Sequence, residues 1–183
     1  MIAVVFAKDS VRFPGKHSIN LGDTSMIDRV ISRVLDFGEL EEVVLFTKSR
    51  SISTSLCRIE YDNSAPAIAH SLLLAMEKHG DIFAVAGDMP CVSPRIARKM
   101  LGSWNGECVV PVHPDGRIEP LFAIYPAKHI AEMRNNLEKG KLSLHEFIRS
   151  IPFTGYRIRE EDAVSFTNVN TPDALRMLKE RGC

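Results

Sequence analysis

The chain opens on Ile2-Ala-Val-Val-Phe-Ala7 and runs straight into Lys8-Asp-Ser-Val-Arg-Phe-Pro-Gly-Lys-His17. Six apolar residues rich in β-formers, ended by a charged loop, read as a strand buried on both faces, the form strands take in a parallel sheet. Two more runs repeat the pattern, Glu42-Val-Val-Leu-Phe-Thr47 and Asp81-Ile-Phe-Ala-Val-Ala86. Between the strands lie segments with helical spacing. Met26, Ile27, Val30, Ile31, Val34 and Leu35 share one face of a helix over 25–35, with Ser25 or Thr24 as its cap and Gly38 beyond its end. Residues 67–78 form an apolar helix behind Pro66, and Ser93-Pro94 starts another. In the second half, 108–112, 120–125 and 153–158 read as strands, and 127–138 and 143–149 as helices. Thr171-Pro-Asp begins a last helix.

Strands alternating with helices predict an α/β fold: three layers, Rossmann-like, with a mostly parallel central sheet, in one domain over residues 1–183. Ligands of such sheets bind outside the carboxyl ends of the strands, near the point where strand order reverses. Loops 8–24 and 87–93, and the region 165–172, are therefore the candidates for a site.

Composition narrows the partners. Lys+Arg and Asp+Glu are both 23 in 183 residues, so the formal net charge is zero. A broad basic face for nucleic acid is not expected. The apolar runs are too short to cross a bilayer, and the N-terminus lacks the basic start of a signal peptide. Cys57, Cys91, Cys108 and Cys183 are scattered with no C-x-x-C pair, which predicts free thiols, a cytoplasmic location and no zinc site.

The first loop carries Lys8, Arg12 and Lys16, cations of the kind that neutralise phosphate oxygens. Its spacing matches neither a Walker loop nor G-x-G-x-x-G. Asp88 directly follows a buried strand, a position suited to Mg²⁺, which takes one or two carboxylates plus substrate phosphates and water. A turn-capping role before Pro90 is the plain alternative.

Gly87-Asp-Met-Pro-Cys-Val-Ser-Pro94 resembles a segment of the molybdenum cofactor guanylyltransferases, the MobA-like nucleotidyltransferases. Glu119-Pro-Leu-Phe-Ala-Ile-Tyr125, Gly140-Lys-Leu-Ser-Leu-His-Glu-Phe147 and Phe166-Thr-Asn-Val-Asn-Thr-Pro-Asp-Ala-Leu175 resemble further motifs of that family, in the same order. The resemblance implies a fold of the nucleotide-diphospho-sugar transferase type. It implies transfer of a nucleoside monophosphate, GMP from GTP by default, to a small phosphate-bearing acceptor such as molybdopterin, with release of pyrophosphate and dependence on Mg²⁺. Lys16, Arg12 and Asp88 would be catalytic. Ala7, Lys8, Ser10, Arg12, Gly15, Lys16, Ala65, Pro66, Ala69, Gly87 and Asp88 would bind the nucleotide. Glu119, Pro120, Asn168 and Asn170 would meet the acceptor, and Asp88 with Asn170 the metal.

The chain departs from the family pattern at two places. Lys8 and Asp9 stand where the family has two glycines, and Ala65 and Ala69 where it has glycines near the base. Arg12-Phe-Pro-Gly-Lys16 is also similar to the loop of sugar-acid cytidylyltransferases. Other acceptors (adenosylcobinamide phosphate, phospholactate, a sugar phosphate) and a non-catalytic nucleotide-binding relative stay open as alternatives, and so does the choice between monomer and homodimer. His70 is expected to be a core or helix-surface residue, and 113–119 a hairpin with a secondary acceptor contact.

Overall fold

The computed structural model describes residues 1–180. Its strands are β1 (Ile2–Ala7), β2 (Asn20–Leu21), β3 (Thr24–Ser25), β4 (Val43–Thr47), β5 (Arg58–Tyr61), β6 (Ile82–Ala86), β7 (Cys108–Val112), β8 (Phe122–Tyr125) and β9 (Phe153–Arg157). Its α-helices are α1 (Met26–Leu35), α2 (Ile68–His79), α3 (Pro94–Gly102), α4 (Ile130–Glu138), α5 (Leu144–Ser150) and α6 (Pro172–Glu180). Seven strands form one sheet in the order β5-β4-β1-β6-β8-β7-β9, and β2 pairs with β3 in a small hairpin. All neighbours in the large sheet are parallel except at β8, which runs against both β6 and β7.

The sheet divides the core. From β1, Ala3, Val5 and Ala7 pack with Ile27, Val30, Ile31 and Val34 of α1 and with Ile96, Ala97 and Met100 of α3. Ile2, Val4 and Phe6 face the other way, onto Leu72, Ala75 and Met76 of α2, Met133 of α4 and Phe147 and Ile148 of α5. This period-two split over a strand with no polar residue is what burial on both faces demands. Each valine, leucine, isoleucine, phenylalanine or methionine among these core residues contributes about 1.5–3 kcal/mol when removed from water.

The expected elements are present with shifted ends. Ser25 caps α1 by accepting from the Asp28 amide at 3.1 Å. Thr171 caps α6 by accepting from the Ala174 amide at 3.2 Å. The helix expected over 127–138 splits into a 3-10 turn at Ala127–His129 and α4. The 120–125 strand begins only at Phe122 and is the one antiparallel member of the sheet. β5, with the sequence Arg-Ile-Glu-Tyr, was not expected; it is a short, partly exposed edge strand. Cys57 and Cys108 are free, but Cys91 is disulfide-bonded, which corrects the expectation of free thiols at that position. The same expectation for Cys183 lies outside the described residues. Among the described residues no helix is long and apolar enough to cross a membrane.

β1 is flanked by β4 on one side and β6 on the other. The chain runs outward from β1 through β4 to β5, then returns to place β6 on the opposite side. The carboxyl ends of β1 and β6 thus form the switch point, and they deliver the Lys8–Lys16 loop and the Gly87-Asp88 turn side by side.

Candidate active site

A pocket of about 410 Å³ opens at this switch point. Its floor is the end of β1 and β6, at Phe6, Ala7, Ala86 and Asp88, and its rim is the loop from Lys8 to Arg12. Lys8 and Arg12 are exposed on that rim. The chain then turns at Gly15 (φ 69°), a left-handed conformation that a glycine adopts without steric cost. That turn feeds the 3-10 helix Lys16–Ser18, which directs Lys16 back under the loop.

Lys16 is the centre of the arrangement. Its side chain is 6% exposed, and Nζ donates to Asp88 Oδ2 at 2.6 Å and to Asn170 Oδ1 at 2.9 Å. Residues 154 positions apart therefore meet on one ammonium. Asn170 reaches the site because the Val169 amide donates to the Asp88 carbonyl at 2.8 Å, while the Val169 side chain is buried. Capping of the last helix falls to Thr171, which leaves the Asn170 side chain to Lys16.

His17 locks the two site loops together. Its Nδ1 lies 3.1 Å from the Gly87 carbonyl and its Nε2 3.1 Å from the Lys8 carbonyl. Burial, and then the adjacent Lys16 ammonium, lower its pKa against smaller opposing effects from Asp88 and the two carbonyls. The neutral ring has one N–H, so one carbonyl accepts a hydrogen bond and the other faces a lone pair.

Gly87 is required by packing. A Cβ there would lie 3.0 Å from the Ala7 Cβ and the Phe6 carbonyl, and 3.1 Å from Ile27 Cδ1. The Gly87 amide donates to that same Phe6 carbonyl at 2.8 Å. The absent side chain thus lets β6 exit close against β1, which sets where Asp88 starts.

The opposite wall was not foreseen. Lys48 Nζ lies 2.7 Å from Asp62 Oδ2, and donates to the Ser64 carbonyl at 2.8 Å and to Ser64 Oγ at 2.9 Å. The Asp62 side chain is 2% exposed. Burial alone would raise its pKa, but hydrogen bonds from Lys48, Ser64 and Ser71 outweigh burial and hold the carboxyl below its ordinary value. Lys48, Asp62 and Ser71 line the pocket together with Phe46, Pro66, Ile68 and Leu121. The signal was weak because these groups come from three separate elements and follow no local motif.

Of the residues expected at the site, Ala7, Lys8, Ser10, Arg12, Lys16, Pro66, Asp88 and Asn170 line this pocket. Gly15, Ala65, Ala69, Gly87, Glu119, Pro120 and Asn168 do not. Gly15 and Gly87 shape its walls from behind. Glu119 sits in the β7–β8 hairpin and is 2.5 Å from His113 Nε2. The hairpin closes through His113 N to the Arg117 carbonyl at 2.7 Å, with Gly116 at φ 83°. Asn168 is exposed. Asp9, standing where a glycine was expected, accepts a hydrogen bond from Ser51 Oγ at 3.2 Å.

Asp88 and Asn170 offer two oxygen donors that already converge on one cation, the lysine ammonium. A hard-oxygen pair of this kind fits Mg²⁺ completed by phosphate and water. Among the described residues no group of three or more His, Cys, Asp or Glu side chains is gathered to hold an ion by itself.

The family described as MobA-like NTP transferase domain matches residues 9–154. A Thermococcus sibiricus protein named Probable molybdenum cofactor guanylyltransferase is 28% identical over 98% of this chain and 97% of its own length. The crystal structure of molybdopterin-guanine dinucleotide biosynthesis protein A from Archaeoglobus fulgidus superposes with a TM-score of 0.80 at 20% identity, covering 100% of this chain and 98% of that one. A CMP:2-keto-3-deoxy-manno-octonic acid synthetase complexed with CTP superposes with a TM-score of 0.76 at 14% identity, over 99% and 97% of the two chains. These likenesses to solved structures establish a shared fold.

Proposed function

The chain belongs to the MobA-like NTP transferase family, and from that premise we propose that residues 1–183 act as one domain that transfers GMP from GTP to the phosphate of molybdopterin, releasing pyrophosphate. The observation that carries this reading is the meeting of Lys16, Asp88 and Asn170 at the floor of a pocket rimmed by Lys8 and Arg12. A triphosphate needs cations along its length and oxygen donors for its counter-ion, and this pocket supplies both.

In the reaction an oxygen of the acceptor phosphate attacks the α-phosphorus, and the bond from that phosphorus to the β-phosphate bridging oxygen breaks. The acceptor is already anionic, so no protein base is required to generate the nucleophile. Lys16 and Arg12 neutralise triphosphate oxygens and the departing pyrophosphate. Asp88 and Asn170 would hold Mg²⁺, which supplies charge stabilisation at the phosphates when bound. The protein's own contribution is alignment and fixed charge, which are the main resources for phosphoryl chemistry.

Pyrophosphate release tests the reading. GTP, CTP and ATP are each incubated with Mg²⁺ and with molybdopterin, adenosylcobinamide phosphate, phospholactate or a sugar phosphate. The expected result is release that needs both a nucleotide and an acceptor, greatest with GTP and molybdopterin. A cytidine preference is the second reading, favoured by the likeness of Arg12-Phe-Pro-Gly-Lys16 to the loop of sugar-acid cytidylyltransferases. Nucleotide binding without release in any combination would make the chain a non-catalytic relative.

A further inference from the structure

One ammonium occupies the place between the two proposed metal donors. Lys16 Nζ is 2.6 Å from Asp88 Oδ2 and 2.9 Å from Asn170 Oδ1, in a side chain only 6% exposed. Mg²⁺ binds oxygen at about 2.1 Å. An ion that close to the same two oxygens would press against Nζ and meet a like charge in a part-buried site, where screening by water is reduced. A divalent cation and the lysine ammonium therefore compete wherever they share Asp88 Oδ2 and Asn170 Oδ1.

The backbone around Lys16 is fixed by main-chain bonds and by His17, whereas its head is held by side-chain bonds to Asp88 and Asn170. The Lys16 amide donates to the Phe13 carbonyl, the Ser18 amide donates to the Gly15 carbonyl, and His17 sits between the Lys8 and Gly87 carbonyls. The four-carbon stem can carry the ammonium to a new anion without disturbing these bonds. The Lys8–Arg12 rim of the same pocket is where a triphosphate would lie.

We propose that Lys16 is the resident counter-ion of the Asp88–Asn170 pair, so that a divalent cation enters only together with a triphosphate that draws the ammonium away. The inference rests on the nucleotidyl-transfer reading for the identity of that anion. It makes metal and nucleotide mutually dependent ligands, because a coupling between two sites acts equally in both directions. It also has an uncommon corollary: removing a cationic side chain should create a metal site that works without nucleotide.

The test is manganese binding followed by water-proton relaxation, which separates protein-held manganese from manganese on free nucleotide. Nucleotide-free wild-type protein is compared with Lys16→Met and with Lys16→Met combined with Asp88→Asn. The expected result is at least tenfold tighter binding in Lys16→Met than in wild type, with the gain lost in the double variant. A non-hydrolysable α,β-methylene GTP or CTP should confer protein-held manganese on the wild type. Equal manganese affinity in wild type and Lys16→Met would overturn the proposal. If circular dichroism shows that Lys16→Met does not fold, Lys16→Gln takes its place with the same expectation, since it keeps a donor for Asp88 without the charge. The wild-type arm decides alone as well, because tight manganese binding that the nucleotide analogues leave unchanged refutes the competition. Failure of pyrophosphate release would instead refute the functional reading and leave the nucleotide-free comparison standing.

Discussion

The Val169 amide donates to the Asp88 carbonyl at 2.8 Å, so the turn leaving β6 and the segment leading into α6 are tied through their main chains. The tie does not involve the Asp88 side chain. Asp88→Asn should therefore keep the fold and lose the chemistry. We expect unchanged circular dichroism and a fall in pyrophosphate release of roughly 100-fold or more, the scale on which single charge-stabilising groups act. Transfer within a few-fold of wild type would remove Asp88 from the reaction.

The Lys48–Asp62 pair makes a stability argument. Removing one member leaves the other charge with its partner gone, and Asp62 is the deeper of the two. Lys48→Met should cost about 3 kcal/mol in urea unfolding at neutral pH. The Asp62 carboxyl titrates lower folded than unfolded. Its contribution is therefore complete above the unfolded value of about 3.9 and declines as pH falls through the folded value. Asp62→Asn should flatten that acid limb, and an unchanged limb would show that other carboxylates set it.

His17 should produce a second, milder pH dependence. Its folded pKa is below the ordinary histidine value. Protons then bind the unfolded chain first, so stability is full above about 6.5 and declines as pH drops below it. In His17→Asn the melting temperature should vary less between pH 7 and pH 5 than in wild type.

Gly87→Ala places a methyl group 3.0 Å from the Phe6 carbonyl, a backbone atom with little room to yield. Overpacking of this type costs about 1–3 kcal/mol. The substitution should also weaken nucleotide binding, because the carbonyl of Gly87 is one of the two that hold His17. Calorimetric unfolding together with nucleotide titration checks both effects.

The strands that build the switch point were readable because burial on both faces writes itself as an unbroken apolar run, as in Ile2–Ala7 and Ile82–Ala86. β5 was not, since an edge strand of four residues with Arg58 and Glu60 in it carries no such mark. Lys16, Asp88 and Asn170 could be named from motifs at the ends of elements. Their meeting on one nitrogen could not, as it depends on the register of β1 with β6 and on the Val169 anchor. The Lys48–Asp62 wall was hidden for the same reason. It exists only once β4 and β5 are paired, with Thr47 opposite Tyr61.

The reversed direction of β8 has an evolutionary consequence. A parallel strand needs a crossover to bring its chain back across the sheet, and after β1 and β6 that crossover runs through α1 and α3, so the loops at Lys8 and Asp88 are bound by the crossovers they feed. The β7–β8 connector, by contrast, leaves and re-enters the sheet on the same side as Asp88. Residues could be inserted between His113 and Glu119 without displacing any strand. The fold thus sets a hairpin rim that can be lengthened or trimmed beside the crossover loops, and diversification among descendants of this architecture would accumulate at the hairpin first.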